Sequence, residues 1–370
     1  MTAFVFETVI WMLAVTAVFW ALRPGWRMNF AALATGAFLL WWSAATAVLL
    51  FGSTFLVWMV VSRCGRMGHW IVPTVAGALV GGGLLWRGFI LEMSMLHLTG
   101  GAYMVLRHVH VLMDVRLRRL EPPRFEELLR YHFFLPVIGA GPIHRFQNHR
   151  RECQRHRWDG ARFAGGAERV LFGAAKVCVL GDYILARKVG FLLGAPDLVP
   201  PVTAGFGQIW VLSAVEWMHL YVTFGGLSDI ALGLAAMLGL RLEENFNHPW
   251  KARDLLEFWS RWHMTLSIWC RDYVYLPVSA WTRSPMLGLL AAMLGIGLWH
   301  DSSAYYVLWS CYHAVGVAGS QMLRRHFRME VSSEKGVRRG WMAALVTSVL
   351  LLAWLAAARP VITLLLGFPR

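Results

Sequence analysis

Two histidines, His263 and His300, each directly follow a tryptophan, and each stands in sequence that is otherwise apolar. An ionisable side chain is expensive in such company, so it marks function by default. A neutral imidazole is suited to taking a proton from a hydroxyl near pH 7. The alternatives lack their signatures. No serine sits in a G-x-S-x-G elbow, and no H-E-x-x-H or comparable metal motif occurs, so no metal is expected. A base without a protein nucleophile remains, which suits direct transfer between two bound substrates. Most of the other histidines (14 in all) need no special role. His144, His149 and His156 lie among arginines and are expected to be solvated.

The segments that must position these two residues are unusual. From Leu255 onward Trp259, Trp262, His263 and Leu266 recur at spacings of three and four, which predicts one shared helical face, with Glu257 and Arg261 able to pair across a turn. Upstream stands the polar stretch Glu243 to Trp250, so the region 243–278 belongs inside the protein or at an interface. His300 closes a 16-residue apolar run and should end a helix. A second irregular region, 131–146, is apolar yet carries Pro136, Gly139, Gly141 and Pro142. Such density breaks helices, and irregular backbone at membrane depth survives only where protein or water satisfies it. A re-entrant segment is expected there.

Composition sets the class. The 370 residues are 57% hydrophobic and 15% charged, with mean hydropathy +0.50. A soluble domain carries about 25% charged residues. Spans are expected near 4–22, 28–44, 46–62, 70–90, 94–115, 163–186, 204–224, 226–240, 284–300, 303–322 and 341–357. The stretch 28–62 reads either as two short helices or as one long tilted one. The expected fold is all-α and polytopic, with about 10–11 tilted spans, in one integral membrane domain over 1–370. Glu7, and the lack of a cleavage-like site after residue 22, predict a retained first helix rather than a signal peptide. The net charge of +14 does not require nucleic acid. Arginines cluster at 116–119, 144–157 and 324–339, as cytoplasmic loops do. Five scattered cysteines (Cys64, Cys153, Cys178, Cys270, Cys311) suggest free thiols.

Several segments, taken together and in order, carry a resemblance. They are Phe133-Phe134-Leu135-Pro136 with Gly141-Pro142-Ile143-His144-Arg145-Phe146; Ser228 to Leu234; Glu244 to Pro249; Glu257 to Tyr273; and Gly297 to His300 followed by Leu308-Trp309 to His313. Over about two-thirds of its length the chain resembles bacterial members of the membrane-bound O-acyltransferase family. It departs from their pattern at Asp301, where glycine is usual, and across Tyr221 to Leu227.

The resemblance implies helices around a central tunnel and transfer of an acyl group, acetyl or D-alanyl, to a hydroxyl of an extracytoplasmic cell-envelope polysaccharide or polymer. The donor would be a thioester co-substrate, an acyl carrier protein or acyl-CoA, with no bound cofactor. By the same resemblance His300 is the general base and His263 orients or polarises. Trp259, Trp262 and Trp299 would surround them, with Asn245, Arg145, Arg271 and Asp301 as further substrate-binding candidates. Arg145 and Arg271 either hold an anionic donor group or form structural ion pairs, and Asp301 could pair with His300. The implied partners are the bilayer of the bacterial cytoplasmic membrane, the donor, the acceptor and an extracytoplasmic partner acyltransferase. Two readings of another class stay open: a transporter using Asp229 and Glu216, and an inactive scaffold for a partner enzyme.

Overall fold

The computed structural model describes residues 2–63, 71–92, 101–139, 141–201, 203–326 and 341–366. These residues form helices and connecting segments, with no β-strand among them. Among the described residues three helical stretches are long and apolar enough to cross a membrane: Ala44–Arg63, Phe206–Met237 and Leu345–Leu365. Shorter apolar helices are Phe6–Ala21, Ile71–Gly82 and Pro285–His300.

The stretch 28–62 is two helices, Pro24–Trp42 and Ala44–Arg63. Pro24 starts the first, where its missing N–H is no loss. Ser43 turns extended (φ −156°, ψ 95°) and its hydroxyl accepts from the Thr46 N–H (3.3 Å), capping the second. By contrast, the two spans expected at 204–224 and 226–240 form one continuous helix, Phe206–Met237. Its Gly225-Gly226 pair does not break it, and helix Gly160–Ala175 packs closely on Gly226. A Cβ on Gly173 would stand 2.6 Å from the Gly226 carbonyl oxygen.

The chain forms two compact units. The first comprises Met1–Ala175 and Gly226–Glu243. Its core gathers Phe19, Phe38, Leu39, Phe134, Leu234 and Leu238, each at most 1% exposed. Arg169 pairs with Asp229 at 2.9 Å. The expected irregular segment is present. Helix Phe125–His132 gives way to the single 3₁₀ turn Leu135–Val137, and 141–145 runs without regular structure into helix Phe146–Arg155.

The second unit comprises Lys176–Gly225 and Glu244–Arg370. Helices Pro285–His300, Ala304–His326 and Trp341–Leu365 accompany the short helices Leu255–Arg261 and Met264–Cys270. Leu255, Phe258, Trp262, Val317, Leu351 and Leu355 form the core. Trp217 Nε1 donates to the Leu355 carbonyl (3.0 Å) and the Tyr312 hydroxyl to that of Trp354 (2.9 Å), tying the last helix down. Cys153, Cys178, Cys270 and Cys311 are free thiols, and Cys64 lies outside the described residues.

Candidate active site

Helix Leu255–Arg261 begins at Asp254, whose carboxylate accepts from the Glu257 N–H at 2.9 Å. Glu257 pairs with Arg261 at 2.8 Å, as the spacing predicts. The expectation of one uninterrupted face through Leu266 is corrected by the structure. The helix stops at Trp262, and His263 takes left-handed backbone angles (φ 41°, ψ 55°) before helix Met264–Cys270 begins. A non-glycine residue held there costs about 1–3 kcal/mol and persists only where its surroundings impose it.

The cause lies upstream in Asn245, which is fully buried. Its carbonyl accepts from the Met264 N–H (2.8 Å), and its Oδ1 accepts from the Thr265 hydroxyl (2.6 Å). The Asn247 N–H donates to the Arg261 carbonyl (3.0 Å), and the Ser267 hydroxyl to that of Trp259 (3.0 Å). These bonds supply partners for backbone groups that the interrupted helix exposes.

The turn sends His263 inward, where it is 4% exposed. The Phe224 ring lies 4.8 Å away and the Trp299 ring 5.7 Å away, centroid to centroid. Trp299 also touches His300, at 4.7 Å, so one indole packs against both histidines. His300 is the last residue of helix Pro285–His300 and is half-buried. Tyr306 stacks on it (5.6 Å, 17°), and Trp309 lies 6.0 Å away. Gly297 lets helix Ala304–His326 come this close. A Cβ there would meet the Ser310 hydroxyl oxygen and stand 2.7 Å from the Tyr306 carbonyl oxygen.

The remaining candidates divide by their contacts. Trp262 is a packing residue, stacked on Phe258 (5.5 Å) and set against Trp217 (5.2 Å). Trp259 packs on Trp309 (5.7 Å) and on His313 (5.3 Å). Sequence reasoning did not single out His313. It is fully buried among Trp217, Trp259, Trp309 and Tyr312, with neither ring nitrogen hydrogen-bonded. The signal was available, four residues after Trp309 on an inward helical face. Asp301 accepts from the Ser303 N–H at 2.7 Å, closing the turn between two helices. Arg271 pairs with its neighbour Asp272 at 2.9 Å. Among the described residues no group of three or more His, Cys, Asp or Glu side chains is arranged to hold a metal.

Arg145 belongs to the first unit, where its Nη1 lies 3.4 Å from His110 Nδ1. The expectation that His144 and His149 are solvated is overturned: they are 1% and 2% exposed, whereas His156 is half-buried. Aromatic rings cover them, with Tyr131 at 5.0 Å from His144 and Phe134 at 5.2 Å from His149. His110 Nε2 accepts the Phe146 N–H (2.9 Å), and its Nδ1 faces Asp114 (3.4 Å), fixing the start of helix Phe146–Arg155. Asp114 also accepts from Gln147 (2.7 Å).

The chain is similar to several proteins of known class. It is 32% identical to "Probable alginate O-acetylase AlgI" of Azotobacter vinelandii over 237 residues, which is 61% of this chain and 44% of that protein. It is 29% identical to "Teichoic acid D-alanyltransferase" of Streptococcus thermophilus over 245 residues, 60% of this chain and 57% of that protein. With the corresponding Bacillus subtilis protein it shares 26% identity over 237 residues, 60% and 58% of the two chains. The matched stretch thus spans roughly half the length of these relatives. The model of the MBOAT family, membrane-bound O-acyltransferases, matches residues 85–355. That match takes in His263, His300 and the aromatic cluster around them, on a chain with several apolar helices: the protein is a polytopic member of the membrane-bound O-acyltransferase family.

Proposed function

We propose that the protein transfers an acyl group from a thioester donor to a hydroxyl of an extracytoplasmic cell-envelope polymer, in the bacterial cytoplasmic membrane. The observation that carries this reading is the contrast between the two histidines that share Trp299. His263 is sealed in the interior, and His300 is partly accessible at a helix end. The accessible imidazole acts as general base. It takes the hydroxyl proton as the oxygen attacks the thioester carbonyl, and the proton passes on to the departing thiolate. His263, held by its turn, positions the reacting groups or the Trp299 wall.

The relatives named above act, by their names, on alginate and on teichoic acid, which supports an anionic envelope polymer as acceptor and acetyl or D-alanyl as the acyl group. A carrier protein or acyl-CoA supplies the thioester. Two carboxylates that a transporter would use are engaged in ion pairs, Asp229 with Arg169 and Glu216 with Arg359. Asp301, where the chain departs from the family's pattern, has a local task in its bond to the Ser303 N–H.

The test is mass spectrometry of alkali-released acyl groups from the cell envelope of wild type, a deletion strain and His300→Ala. Equal loss of acetate or D-alanine in both mutants supports the reading and names the acyl group. Full acylation in His300→Ala cells refutes the base assignment.

A further inference from the structure

Within the first unit a buried charge has no carboxylate partner among the described residues. Arg107, on helix Gly101–Arg116, is 3% exposed, and its Nε and Nη2 have no hydrogen-bond partner. Its guanidinium carbon lies 4.2 Å over the Tyr131 ring. Among the described residues no carboxylate pairs with it. Asp114, on the same helix, is occupied by His110 (3.4 Å) and Gln147 (2.7 Å). A guanidinium does not escape burial by releasing its proton, and an uncompensated buried charge is strongly unfavourable.

Arg107 lines a cavity of about 10 Å³, together with Thr46, Leu50, Tyr103, Met104 and His132. That is room for one small guest. His132 adds no second charge. The Thr54 hydroxyl donates to the Leu50 carbonyl (2.6 Å), so it accepts from His132 Nδ1 (3.1 Å). This assigns the imidazole's single proton to Nδ1 and leaves Nε2 unbonded. A water could bridge that nitrogen to Arg107, but it would leave the guanidinium charge uncompensated.

We propose that this cavity binds a single monatomic anion of chloride size, held by the Arg107 guanidinium. The site would also brace the irregular segment that follows. Arg107 packs on Tyr131, whose hydroxyl donates to the His144 carbonyl at 2.7 Å. Occupancy therefore stiffens the backbone between Pro142 and Phe146.

The experiment uses the full-length protein purified in detergent. It is melted in sodium chloride, sodium bromide and sodium gluconate at equal ionic strength, alongside Arg107→Gln. The expected result is a saturable rise in Tm of about 2 °C or more in either halide, absent from the variant. Bromide-soaked crystals should show an anomalous peak within about 4 Å of the guanidinium. A wild-type Tm indifferent to halide, or a water and no bromide at that position, overturns the proposal. If Arg107→Gln fails to fold, the wild-type melting series and the bromide map decide.

Discussion

Replacing Gly297 by alanine should disable the site without touching either histidine. The new Cβ would stand 2.7 Å from the Tyr306 carbonyl oxygen and against the Ser310 hydroxyl, which is held there by its own bond to Tyr306 (2.7 Å). Ordinary contact requires the two helices to part by about 0.6 Å or more, and overpacking of this kind costs about 1–3 kcal/mol. The melting temperature of the detergent-purified protein should fall by about 2–6 °C. Since His300 follows Gly297 by three residues, its imidazole moves with the helix. A misplacement of about 1 Å can cost a hundredfold in rate, so acyl transfer should drop by about tenfold. Adding Ser310→Ala removes the nearest obstructing oxygen and should restore part of both losses. Wild-type melting and wild-type envelope acylation in Gly297→Ala would refute the claim that this close approach positions His300.

Asn245→Ala should lower stability by about 1–3 kcal/mol, because it removes the oxygen that accepts from the buried Thr265 hydroxyl. Acylation should fall further than the stability loss explains, since the turn at His263 loses a support; the double variant with Thr265→Val, measured by thermal melting, should recover stability relative to Asn245→Ala alone. His313→Phe should leave the melting temperature unchanged or raise it, because it exchanges a buried imidazole with unbonded nitrogens for a ring of similar volume. A clear fall in melting temperature would show that those nitrogens are bonded in solution.

Much of the architecture was legible in the sequence because it is written locally. The density of Pro and Gly in 131–146 announced irregular backbone, whereas the stretch 28–62 stayed open between one helix and two until Ser43 was seen to turn extended. The misreadings share a physical cause, tertiary partners overriding local pattern. Trp259 to Leu266 has sound helical spacing and no helix breaker, yet Asn245 reaches across from another segment and takes over the hydrogen bonds at Met264 and Thr265. His144 and His149 sit among arginines in the chain and beneath Tyr131 and Phe134 in space. Arg107, His108 and His110 are likewise ionisable residues inside an expected span, and all three are buried.

The two histidines of the candidate site are fixed by different means, and this bears on how their roles divide under the proposed chemistry. A residue in strained backbone has few positions available to it, because leaving the turn means giving up the bonds of Asn245 as well. That suits a group whose task is to stay still, and His263 is also the one closed off from solvent. His300 has ordinary helical backbone, neighbouring rings on Trp299, Tyr306 and Trp309, and partial access at the helix end. That suits a group which must meet a substrate and exchange a proton with it. Trp299 packs against both rings, at 5.7 Å from His263 and 4.7 Å from His300. On this division, changes at His300 should act on the chemical step, whereas changes at Asn245 or Thr265 should act through the placement of His263.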